Sequence, residues 1–146
     1  MFAAHGNPAR AYAGVAVETS VAAAAPVDLV VMLYEGAMDG ITKAIGHMRE
    51  RNFEAKGKQV TRVIRILEEG LRASLDPRGG EVSNNLRDLY DYMAMRLLQG
   101  SVKNDPAILV EVRNLLQDVK GAWEELARTT HANAVQAHAA AARLAA

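Results

Sequence analysis

Pro26-Val27-Asp28-Leu29-Val30-Val31-Met32-Leu33-Tyr34-Glu35-Gly36-Ala37-Met38-Asp39-Gly40-Ile41 is the stretch on which the reading of this chain turns. Leu29, Leu33, Ala37 and Ile41, continued by Ala44, Ile45 and Met48, recur at the i, i+3, i+4 spacing of one helix face, with Met32 beside them. Pro26 suits a first helical position, and Asp28 suits the positive end of the helix dipole. The stretch therefore predicts a helix from Pro26 to about Arg51. Gly36 and Gly40 lie four apart on a neighbouring stripe. They mark either a close approach of another backbone or tolerated surface positions, at up to about 1 kcal/mol each against alanine.

Three more helical patterns follow. Asn52 can cap a helix running from Phe53 to Leu75, with Val60, Val63, Ile64, Leu67, Leu71 and Leu75 on its apolar face. Asp76-Pro77-Arg78-Gly79-Gly80 is a turn, since proline stops the helix and glycine allows positive φ. A third helix is expected from about Glu81 to Gly100, with Val82, Leu86, Leu89, Tyr90, Met93 and Leu97 on its face. Asp105 as N-cap and Pro106 at the first helical position start a fourth. It carries Leu109, Val112, Leu116, Val119, Trp123 and Leu126 to about Arg128. No segment alternates with period two over a useful length. The fold expected is all-α, an antiparallel four-helix bundle, because short connections return each helix beside the last.

The ends differ from this middle. Hydrophobic residues make up 50% of the 146-residue chain, but alanine inflates the figure. Of 27 alanines, 19 lie in 1–25 and 129–146. The organisation expected is a flexible N-terminal arm over 1–25, a bundle over 26–128, and an alanine-rich tail over 129–146. The tail is either a short fifth helix or disordered.

Composition excludes several functions. Lysine plus arginine equals aspartate plus glutamate at 17 each, whereas a dedicated nucleic-acid binder shows a basic excess. The stripe Lys58, Arg62, Arg65 and Arg72 is interleaved with Glu54, Glu68 and Glu69 and reads as a solvated face. Cysteine is absent, which removes disulfides and thiolate chemistry. No di-iron, zinc-protease or phosphate-loop pattern occurs, and His47 with Glu50 stands alone in reversed order. No catalytic residue, cofactor or metal is expected. The longest segment without an acidic residue, lysine or arginine is Thr129–Ala142, at 14 residues. That is short of the roughly 18 a membrane span needs, so a soluble, cytoplasmic protein is expected.

Two tyrosine motifs stand out: Met32-Leu33-Tyr34-Glu35-Gly36-Ala37 and Leu89-Tyr90-Asp91-Tyr92-Met93. Tyrosines at the margin of a core bury their rings and keep their hydroxyls wet. Either they seal the bundle edge or they form a protein-binding surface.

In this setting the chain resembles the flagellar secretion chaperones of the FliS family. The resemblance rests on an ordered set: Ala11-Tyr12 with Val17-Glu18-Thr19, then Pro26 to Ala37, then Ile64-Arg65-Ile66-Leu67-Glu68-Glu69-Gly70-Leu71 and Leu75-Asp76. Gly79-Gly80-Glu81, Asn85-Leu86, Leu89 to Met93, Glu111-Val112, Leu115-Leu116 and Ala122-Trp123 complete it. The segment Ser20–Ala25 is longer and richer in alanine than the family's junction, and the tail after Arg128 matches no family pattern. The resemblance implies a cytoplasmic four-helix bundle that binds the C-terminal region of flagellin and prevents its premature polymerisation. It also implies help in delivery to the flagellar type III export gate. Long apolar grooves can hold an amphipathic client segment. The resemblance further implies that the N-terminal segment covers part of that surface when the client is absent, with Tyr12, Val15 and Val17 at the matching positions. The candidate partner-binding residues are Tyr12, Val15, Tyr34, Tyr90, Tyr92, Met93 and Trp123. Leu33, Ile64, Leu67, Leu86 and Val119 are expected in the core. A self-associating bundle without a client, or a homodimer in the client-free state, is the alternative that the apolar faces leave open.

Overall fold

The computed structural model describes residues 26–145. Helix α1 spans Pro26–Arg49, α2 Phe53–Arg65, α3 Gly80–Lys103 and α4 Pro106–Ala145. Among the described residues there is no strand. The chain is an all-α helical bundle.

Contacts between helices fix the topology as up-down-up-down. Gly40 of α1 packs on Val63 of α2, and Leu33 packs on Gly70. Lys56 of α2 reaches Ser101 near the end of α3. Gly100 of α3 faces Leu109 and Ile108 of α4. Arg113 of α4 reaches Thr42 of α1, while His131 reaches Asp28. Each pair is antiparallel, and α4 closes the ring on α1. Inside lie Leu33, Ala37, Ile41, Val63, Ile66, Leu67, Leu71, Met93, Leu97, Leu109, Val112 and Leu116, all buried.

The connections explain the boundaries. Asn52 caps α2 as expected, its side chain accepting from the Ala55 amide at 3.3 Å. Arg51 before it sits at φ 60°, and the Asn52 amide donates back to the His47 carbonyl, the left-handed closure usually given to glycine. Asn104 ends α3 in the same left-handed conformation, at φ 48°. Asp105 then accepts from the Ala107 amide, and Pro106 opens α4.

Three expectations are corrected. The second helix does not run as one α-helix to Leu75. After Arg65 it widens into a π-helix over Ile66–Leu71, then tightens to a 3-10 turn over Arg72–Ser74. Ile66 is buried, while Ile64, expected on the apolar face, is half-buried. The fourth helix does not end at Arg128 but continues unbroken to Ala145, so no separate fifth helix exists among the described residues. No glycine or proline interrupts that run, and alanine is the best helix former. Val82 and Leu126 are not core residues: they are 68% and 47% exposed. Val82 lies in the first turn of α3, and Leu126 lies beyond Trp123 on α4.

Candidate partner-binding surface

Helix α3 presents two apolar stripes, and only one is used by the core. Tyr90, Met93, Ala94 and Leu97 point inward. Met95, Leu98 and Val102, spaced by three and four, share an outer flank of the helix beside that stripe and are 50%, 57% and 76% exposed. Apolar side chains are ordinary on a protein surface when scattered singly. Three on one stripe of one helix are a different arrangement, one that suits contact with a partner. The tyrosine motif Leu89–Met93 ends before this stripe, which the expected binding residues do not include. The signal was present, since Met95, Leu98 and Val102 fall between the positions of the inner stripe.

Polar ties lie at one end of the stripe and beside it. On the α2 side, Arg72 donates to Asp91 at 2.8 Å. On the α4 side, Glu111 accepts from Arg96 Nη2 at 2.6 Å and Nε at 3.2 Å, and from the Tyr92 hydroxyl. The Arg96 hydrogen bonds, followed by that of Tyr92, hold the Glu111 carboxyl below its usual range. The same carboxylate pushes the Tyr92 phenol up. These ties join α3 to the second helix at Arg72 and to α4 at Glu111. Nothing in the local sequence pairs Arg96 with Glu111; the turn through Asn104 brings them together.

The expected binding residues divide sharply. Tyr92 is exposed, at 40%. Tyr34, Tyr90 and Met93 are not at the surface: they are 0%, 1% and 0% exposed. In this conformation they belong to the core, which corrects the placement of the two tyrosines at its margin. Tyr34 and Tyr90 meet across the diagonal of the bundle, hydroxyl to hydroxyl at 2.8 Å, with ring centroids 6.3 Å apart and planes at 67°. Burial raises both phenol pKa values, so both stay protonated through the physiological range. Trp123 is half-buried against the core. Tyr12 and Val15 lie outside the described residues.

Lys56 is a functional-looking cation with a structural environment. It is 7% exposed, donates to the Ser101 carbonyl at 2.9 Å and to Asn104 Oδ1 at 2.8 Å, and lies over the Phe53 ring. A cation there complements the negative end of α3. Among the described residues, no group of three or more histidines, cysteines or carboxylates could hold a metal ion. No described helix is long and apolar enough to cross a membrane.

This geometry defines a class, the antiparallel helical bundle with an outward apolar stripe on one helix. The family model described as "Flagellar protein FliS" matches residues 8–130, and the chain belongs to that family. It is 40% identical over 118 residues to the flagellar secretion chaperone FliS of Salmonella typhimurium, covering 80% of this chain and 87% of that protein. It is 39% identical over 126 residues to the protein of that name from Escherichia coli, covering 86% and 91%. The corresponding Bacillus subtilis protein is 34% identical over 119 residues, covering 82% and 85%.

Proposed function

We propose that this protein is a flagellar secretion chaperone without enzymatic activity. It binds the C-terminal region of flagellin in the cytoplasm, keeps it from polymerising before export, and aids its delivery to the flagellar type III export gate. The observation that carries the reading is the family match over 8–130, with similarity to named secretion chaperones along most of the chain. The surface is compatible with it. A client segment that is amphipathic buries its apolar side against the exposed stripe of α3 and the exposed side chains of Val82 and Leu126. Tyr92 is the described aromatic side chain of the expected set best placed for such contact. Tyr12 and Val15 are proposed to cover part of this surface in the free state and to be displaced by flagellin.

Mixing the full-length protein with a flagellin C-terminal peptide tests the reading. A defined complex by size-exclusion chromatography with light scattering is the expected result. Leu98→Asp with Val102→Asp should weaken that complex at least tenfold while leaving the helical content unchanged. No complex with the peptide would refute flagellin as the client. The exposed apolar stripe also favours a second reading, a homodimer in the client-free state. In that case the free protein has twice the chain mass, and the same aspartate substitutions return it to a monomer.

A further inference from the structure

The chain has no cysteine, so its thioethers are the side chains most open to oxidation. Five methionines fall among the described residues, and the fold treats them unequally. Met93 is fully buried and Met48 nearly so. Met32 and Met38 are half-buried against the core. Met95 alone of the five is exposed, at 50%. Two residues along an α-helix turn a side chain by about 200°. Met93 and Met95 therefore leave α3 on different sides, one into the core and one into solvent. The Met95 thioether stands on the outer flank in line with Leu98 and Val102, both exposed. An unbranched, polarizable side chain in that place adapts well to an apolar partner. It also meets an oxidant from solvent before any other described methionine does.

We propose that Met95 is a reversible oxidation site that sets the polarity of the α3 stripe, with hydrogen peroxide as the oxidant. A sulfur lone pair attacks one peroxide oxygen, and the S–O bond forms as the O–O bond breaks. Sulfur gives up two electrons and becomes the sulfoxide. The attacked oxygen loses its proton to the departing hydroxide, which leaves as water. The product carries a polar, hydrogen-bond-accepting oxygen within an apolar stripe. An apolar partner that covers the stripe must strip water from that oxygen and offers it no donor, which costs free energy. Exposure also makes the change reversible, because a reductase that returns the sulfoxide to the thioether can reach it. Burial gives Met93 neither property. The consequence for a flagellin client rests on the chaperone reading; the oxidation itself does not.

Trypsin releases Met93 and Met95 on one peptide, residues 88–96, so each is the other's control. The folded, full-length protein is treated with dilute hydrogen peroxide, the peroxide is removed, and the peptide is sequenced by mass spectrometry. The expected result is one added oxygen on Met95 and none on Met93. Equal oxidation of the two, or oxidation of Met32 or Met38 before Met95, would overturn the proposal. Retention of the folded protein on a hydrophobic-interaction column reads the stripe without a client. The oxidised protein should elute earlier, and a methionine sulfoxide reductase with a thiol reductant should restore its retention. Unchanged retention sinks the proposal. With a flagellin C-terminal peptide, oxidation should weaken the complex about tenfold, the scale of keeping one half-exposed methionine out of an apolar interface. Neither the retention nor the affinity of Met95→Leu should respond to peroxide. An oxidised parent that binds the peptide as tightly as before also overturns the proposal. If the unoxidised parent binds no peptide, flagellin fails as the client, and the mapping and retention results alone decide for or against Met95.

Discussion

Gly40→Ala should destabilise the protein, although alanine is the better helix former. A Cβ at Gly40 would lie 2.5 Å from Val63 Cγ2, against an ordinary carbon–carbon contact of about 3.5–4.0 Å. Val63 is fully buried and β-branched, so its side chain has one favoured rotamer in a helix and little room to swing. The conflict must be relieved by moving α1 from α2. Overpacking of this kind costs about 1–3 kcal/mol. The propensity gain returns up to about 1 kcal/mol. The net loss is about 1–2 kcal/mol, a drop of about 3–8 °C in Tm for a domain of this size. Gly36→Ala is the internal control. Its Cβ would meet Ile66 Cδ1 at 3.7 Å, an ordinary contact, so only the gain remains and Tm should rise by a few degrees. Urea unfolding of both variants and of the Gly40→Ala/Val63→Ala pair closes the test. The pair should be about 1 kcal/mol more stable than the sum of its single effects, because the new methyl group occupies space that Val63 vacates. A Gly40→Ala variant as stable as the parent, or a strictly additive cycle, would refute the close-approach reasoning.

Lys56→Met should cost about 1–3 kcal/mol in urea unfolding, because it removes two hydrogen bonds from a charged donor at the end of α3. Arg51→Gly should gain about 1 kcal/mol, since Arg51 holds φ 60° at a position glycine adopts without strain. The Glu111 carboxyl is depressed below 4.5 in the folded state, so its contribution is present above that value and is lost as pH falls through the folded pKa. Glu111→Gln should therefore flatten the acid limb of a stability–pH curve, with little change in its slope near neutrality.

The helices were legible in the sequence because their apolar spacing, caps and turn residues agreed. Asn52, Asp105 and Pro106 stand where those signals put them. The π-helix at Ile66–Leu71 was hidden for a physical reason: Val60, Val63, Leu67 and Leu71 satisfy an α-helical face equally well, so their spacing carries no mark of the wider turn. The length of α4 was hidden because its last part has propensity without an apolar stripe. The tyrosines illustrate a further gap. Spacing placed Tyr90 on the inner stripe, but its partner Tyr34 lies 56 residues away, and the burial of both hydroxyls follows from helix packing alone. Gly36 and Gly40 looked equivalent on one stripe, yet only Gly40 is crowded.

Helix α4 is 40 residues long, about 60 Å at 1.5 Å per residue, while α1 has 24 residues and spans about 36 Å. His131 stands opposite Asp28, near the start of α1, so the residues after it run on past the bundle. One continuous helix therefore obeys two kinds of physics. Up to that point its backbone is held by neighbours and melts with the whole molecule. Beyond it, helicity rests on alanine propensity and on a nucleus already formed, so this segment should lose helix at lower temperature than the bundle. The bundle serves that segment as a permanent initiation site, which an isolated peptide of the same sequence would have to build for itself.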